Sequence, residues 1–115
     1  MKKYIVLLVV AALLFPAIAS AVSVKLTWVD NATNEDKFQV ERSITGNTID
    51  FAIIASPGAN VVTYTDAGLV ENVTYYYRVN ACNSGGCSAY TPTVSVKTLV
   101  TIPATPTGLT GTPLP

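Results

Sequence analysis

The sequence predicts an all-β domain built as an antiparallel sandwich. Three observations carry this prediction. Apolar and polar residues alternate with a period of two over several short runs, the pattern of strands that press one face on a core. Clusters of Asp, Asn, Ser, Gly and Pro separate these runs at regular intervals. After residue 21, no window of the 115-residue chain keeps a sustained helical period.

Residues 1–21 stand apart from the domain. Lys2 and Lys3 form a basic start, Tyr4 to Phe15 is an unbroken apolar run, and Pro16 ends it. Ala19-Ser20-Ala21 then supplies a small-x-small cleavage pattern, so the segment reads as a secretory signal peptide. The alternative is an uncleaved membrane anchor, but the apolar run is shorter than the roughly 20 residues that a spanning helix needs. No cysteine stands at the cleavage point, which argues against a bacterial lipid anchor.

The domain is expected over residues 22–98. Val24, Leu26 and Trp28 share one face of the first strand. Asp30 to Asp36 is a polar loop, and Phe38 to Glu41 alternates again. Ser43 to Asp50, with Gly46-Asn47, reads as a turn before a short strand over Phe51 to Ala55. Ser56-Pro57-Gly58 ends that strand. Val61 to Thr65 is the next strand, with Val62 and Tyr64 inward, and Asp66-Ala67-Gly68 is read as the turn into Leu69. Thr74 to Ala81 is the longest strand. Tyr75, Tyr77 and Val79 take its inner face, while Tyr76, Arg78 and Asn80 take its outer face. Tyr90 to Thr98 is the last strand, with Val94 and Val96 inward and Pro92 disrupting its first half. Residues 99–115 are rich in Pro and Thr and read as an extended linker.

Cys82 and Cys87 flank the turn formers Asn83-Ser84-Gly85-Gly86. A hairpin there places the two cysteines opposite each other, and export permits a disulfide; two free thiols is the alternative. Two cysteines without a histidine cannot complete a zinc site. Beyond residue 21 the chain holds five basic and seven acidic residues, a net charge of −2. Without a basic patch, nucleic acid and anionic membrane are not expected partners.

The motifs together resemble the fibronectin type III family, and its bacterial members in particular. The resemblance rests on Leu26-Thr27-Trp28, on Asp30-Asn31 with Asn34-Glu35, and on Phe38 with Val40-Glu41-Arg42-Ser43. It continues in Tyr64-Thr65-Asp66, Gly68-Leu69 and Thr74-Tyr75-Tyr76-Tyr77-Arg78-Val79. It implies an immunoglobulin-like β-sandwich in which Trp28 packs across the core. It also implies a tyrosine corner, with Tyr75, six residues after Leu69, returning its hydroxyl to the backbone. Trp28, Leu69 and Tyr75 are thus structural residues rather than ligand residues. The chain departs from the family twice. Glu71 and Val73 stand where the family usually has proline and threonine. The family's first strand also precedes the tryptophan strand by about a dozen residues, whereas cleavage after Ala21 leaves six residues before Trp28. The first strand is therefore expected to be missing or supplied by the tail. Pro103 to Pro113 looks like the opening of a following repeat, which fits a truncated array. It also allows head-to-tail self-association, the tail entering a second molecule antiparallel to its Val24–Trp28 strand.

The composition excludes much chemistry. With no histidine, Ser-His-Asp and Cys-His nucleophile systems are absent. Asp30, Glu35 and Asp36 lie on one loop rather than across a cleft, and they fit no EF-hand. A turn-forming role suits that loop better than calcium, and no cofactor or metal is expected. The candidate binding surface is the outer face holding Gln39, Glu41, Tyr76 and Arg78, with Asn80 beside them. Tyr76 next to Arg78 could stack on a sugar or anchor a protein. The expectation is a secreted, non-catalytic module, extracellular, periplasmic or on the cell surface. It serves as a spacer or structural unit of an assembly, or alternatively as a binding module for polysaccharide or protein.

Overall fold

The computed structural model describes residues 21–115, so the expected signal peptide lies outside the described residues except for Ala21. Seven strands follow: β1 (Val22–Thr27), β2 (Lys37–Ser43), β3 (Ala52–Ala55), β4 (Thr63–Leu69), β5 (Thr74–Asn83), β6 (Gly86–Cys87) and β7 (Val94–Lys97). A short 3₁₀ turn, Thr48–Asp50, precedes β3. β1 and β4 form one antiparallel sheet. The other has the order β3-β2-β5-β6, with β7 also paired to β5, and all its pairs are antiparallel.

The inner faces of the two sheets meet in one core. Val24 and Leu26 of β1 and Leu69 of β4 pack against Phe38 and Val40 of β2 and Tyr75, Tyr77 and Val79 of β5. Trp28 is half-buried against this core, its ring centroid 5.6 Å from that of Phe38. The period-two pattern thus selects the right faces of β1, β2 and β5. It misses at two valines. Val62 is 39% exposed because β4 begins one residue later, and Val94 is 49% exposed at the rim of an open groove. As Pro92 suggests, regular pairing to β5 resumes only at Val94; the Tyr90–Thr93 stretch lies outside the ladder.

The Asp66-Ala67-Gly68 stretch corrects the sequence reading. These residues are not a turn: β4 runs through them to Leu69. The register against β1 shifts between Val22 and Val24, one extra residue fitting on the β4 side, and Gly68 takes φ +71. A glycine in the left-handed region is the usual solution for such a bulge. Asp66 is tolerated inside the strand because its carboxylate accepts two hydrogen bonds from Arg42 Nη1, at 3.0 and 2.9 Å, and one from Tyr77 Oη at 2.8 Å. A polar group fully partnered in this way can be buried at modest cost.

At the same pole, the Tyr75 hydroxyl accepts the Val70 N–H at 3.1 Å. The turn after Leu69 lacks the family's proline, but Asn72 adopts φ +58 and Thr98 braces it. Thr98 Oγ1 donates to Val70 O at 2.7 Å, and the Val73 N–H donates to Thr98 Oγ1 at 3.0 Å. Beyond Thr98, residues 99–115 form no strand and are exposed.

Candidate functional site

The outer face of the larger sheet was the sequence's candidate surface, and alternation does place its residues there. The register sets Glu41 opposite Arg78 and Gln39 opposite Asn80. The face is nevertheless closed at its centre. Arg78 Nε and Nη2 both donate to Glu41 Oε1, at 2.9 and 2.8 Å. The Tyr90 hydroxyl donates to Glu41 Oε2 at 2.7 Å. The guanidinium carbon lies 3.7 Å from the centroid of the Tyr90 ring and 4.2 Å from that of Phe51. Arg78 is therefore stacked against two aromatic rings and held by a carboxylate, in the geometry of strong cation–π contact. Glu41 is 5% exposed and Asn80 is also 5% exposed, so neither is the open surface group expected. The phase of alternation was right; the cover over Arg78 and Glu41 came from Phe51 and Tyr90, which lie outside the two strands. The Tyr90 hydroxyl is pushed above its ordinary pKa, first by its hydrogen bond to Glu41 and then by burial.

Tyr76 and Gln39 are half-buried beside this cluster. The Tyr76 ring lies on Gly46, where φ is +81 and an added Cβ would stand 3.1 Å from Cε1. Glycine is thus favoured at Gly46 by its backbone angle, and a larger residue would also press on the ring above it. The Cys82–Cys87 disulfide closes the β5–β6 hairpin, in which the two cysteines are direct cross-strand partners. Cys82 is buried and Cys87 exposed.

The acidic loop turns its side chains to backbone donors. Asp30 Oδ1 accepts the Ala32 N–H at 3.0 Å, and Glu35 Oε2 accepts the Asn60 N–H at 3.2 Å. Among the described residues, no three metal-ligating side chains are grouped. Within the sandwich, Asp66 joins β4 to Arg42 of β2 and Tyr77 of β5. Burial first, and the hydrogen bond to Asp66 second, raise the Tyr77 hydroxyl well above the usual tyrosine range. The Arg42 guanidinium is held still more firmly in its charged form by its hydrogen bond to Asp66.

The open feature lies elsewhere. A groove of about 800 Å³ runs beside β1, walled by Leu26 and Trp28 on one side and by Val79, Tyr90 and Val94 on the other, with Phe38 also lining it. Among the described residues, β1 pairs only with β4, so its other edge is unpaired. Trp28 Nε1 is buried and has no acceptor among the described residues. The sequence showed Trp28 as a core residue, and the uncovered flank agrees with the expectation that the strand preceding β1 is missing; the position and lining of the groove were not legible from it.

The two sheets, the cross-core tryptophan and the tyrosine hydroxyl bonded to Val70 define an immunoglobulin-like sandwich. Solved structures place it more narrowly. A fibronectin type III domain of human fibronectin type III domain containing protein 3 superposes with a TM-score of 0.58 at 21% identity, covering 71% of this chain and 77% of that one. A second human fibronectin type III domain gives a TM-score of 0.60 at 17% identity, covering 79% of this chain and 74% of the other. The described domain therefore has the fibronectin type III fold. A β-1,2-glucanase from Parabacteroides distasonis also contains a similar region, with a TM-score of 0.63 at 22% identity. The match covers 74% of this chain but only 12% of the glucanase, so it is a likeness to a small part of that enzyme. No family profile matches the sequence, and no curated protein matches it.

Proposed function

We propose that the chain is an exported, non-catalytic fibronectin type III-like module that acts as a spacer or structural unit of an extracellular assembly. The observation that carries this reading is the closed outer face. The groups best suited to recognition, Arg78 and Glu41, are satisfied by each other and by Tyr90. Acid–base chemistry has little to work with, since the sequence holds no histidine and the Asp30, Glu35, Glu41 and Asp66 carboxylates accept hydrogen bonds within the domain. Export is supported by the basic-then-apolar leader pattern and by the disulfide. Among the described residues, no helix is long and apolar enough to cross a membrane.

One observation favours a second reading, a binding module for polysaccharide or protein. Tyr90 is 41% exposed and its ring is fixed on Arg78, so its outer rim, with Tyr76, is a rigid aromatic surface. Incubating the secreted protein with insoluble cell-wall and plant polysaccharides separates the readings. The spacer reading expects the protein to stay in solution and to release no sugar. Depletion that Tyr90→Ala and Tyr76→Ala abolish would instead establish the binding module, and sugar release would overturn the non-catalytic reading.

A further inference from the structure

Among the described residues, the groove beside β1 is an unfinished part of the sandwich. The Trp28 N–H donates to Val62 O at 3.0 Å, so Trp28 and, by alternation, Leu26 and Val24 direct their backbone groups to β4. The N–H and C=O groups of Lys25 and Thr27 then point to the free edge. An unpaired edge above an apolar wall is a template for one more strand.

The same chain carries a segment of the right chemistry. Residues 98–115 contain no charged side chain, and Leu109 is 98% exposed. In an extended run, Thr107, Leu109 and Gly111 share a face, which sets one large apolar side chain between small neighbours. Pro106 at the start of such a run is acceptable on an edge strand. Gly108 stands at φ +72 and would open to an extended angle or form a bulge, both of which glycine permits.

Direction decides which molecule receives it. β1 begins at the pole where Val22 pairs with Leu69. β7 ends at that pole, where the Thr98 N–H donates to Val73 O at 2.9 Å. The tail thus leaves where β1 starts. Turned back on its own domain it would run parallel to β1. Continued outward, it meets a neighbour stacked in the same orientation at that neighbour's Trp28 pole and runs antiparallel to its β1, as β4 already does. Residues 98–105 extend about 25 Å, enough to bridge the two poles.

We propose that residues 106–112 of a second copy add as an antiparallel strand along the free edge of β1, with Leu109 seated in the groove against Leu26 and Trp28. The docked strand pairs Lys25 and Thr27 and brings carbonyl oxygens to the wall that holds Trp28 Nε1. The contact is head-to-tail, so it propagates into open chains unless curvature closes a ring. It deepens the structural-unit reading and rests on it.

Light scattering on the secreted protein tests this. The scan runs from about 10 µM to about 1 mM because interfaces this small are weak. The weight-average mass should rise at least about twofold over that range as copies join end to end. Leu109→Asp, a change in the exposed tail that leaves the folded domain untouched, should hold the mass at that of the monomer throughout. A synthetic peptide of residues 103–115, added in excess to the wild type, should return it to the monomer mass by filling the groove. A wild-type mass that stays monomeric over the whole range overturns the proposal, as does a Leu109→Asp protein that associates like the wild type. The two readings fail separately. A monomer that binds no polysaccharide removes strand addition and leaves the spacer standing, whereas polysaccharide binding removes the spacer whatever the mass.

Discussion

The outer face around Arg78 and the groove beside β1 are opposites in one small domain. The first is rich in charge and aromatic rings, yet its polar groups are matched: Glu41 takes three hydrogen bonds and Arg78 is stacked on Phe51 and Tyr90. The second is lined by ordinary core residues, yet among the described residues it leaves a strand edge unpaired and an indole N–H without an acceptor. Polar composition is therefore a poor guide to where this molecule is available. What matters is whether each donor, acceptor and apolar wall already has a neighbour.

The largest effect should come from opening the closed face. Glu41→Ala leaves the Arg78 guanidinium under two rings without its carboxylate, and urea denaturation should show a loss of about 3 kcal/mol. Arg78→Ala should cost a similar amount, and the double variant should cost clearly less than the two together, because both remove one interaction. If Glu41→Ala proves neutral, the face is not the closed unit described. Reducing the Cys82–Cys87 disulfide should cost less, about 2 kcal/mol for so short a loop, with the groove unaffected.

Alkaline pH distinguishes the interior from the outer face. The Tyr77 pKa is raised in the folded state, by burial first and by Asp66 second. Its protonated form therefore favours folding. That contribution is complete below the ordinary tyrosine value of about 10 and is lost as pH rises from there toward the folded value. Tyr90 acts in the same direction through Glu41, but it is substantially exposed and its share is screened. Melting temperature should thus fall as pH rises above that point. Tyr77→Phe should flatten the fall more than Tyr90→Phe; the reverse order would place the dominant titrating group on the outside. The smallest effect should be that of Leu109→Asp on unfolding in dilute solution, within about 0.5 kcal/mol of wild type.

Much of the fold was legible because local alternation and spacing encode it. Trp28, Leu69 and Tyr75 could be placed from their own neighbourhoods, and so could the hairpin that joins Cys82 to Cys87. Asp66 could not. An Asp-Ala-Gly sequence reads as a turn unless Arg42 and Tyr77 are known to meet the carboxylate across the sandwich. The closure over Arg78 was hidden for the same reason. Phe51 and Tyr90 reach it from outside β2 and β5, and no periodicity within either strand reports an outside cover. The open groove was foreshadowed only by the short stretch between the cleavage pattern and Trp28.

The central claim is that the β1 edge is open where the Arg78 face is shut. Native-state hydrogen exchange, measured on the dilute secreted protein, tests it residue by residue. The Lys25 and Thr27 amides should exchange rapidly, while those in the β2–β5 ladder around Glu41 and Arg78 should exchange only with global unfolding. Lys25 and Thr27 amides as slow as the β2–β5 ladder at that dilution would show the edge already covered within a single molecule, and would contradict the claim.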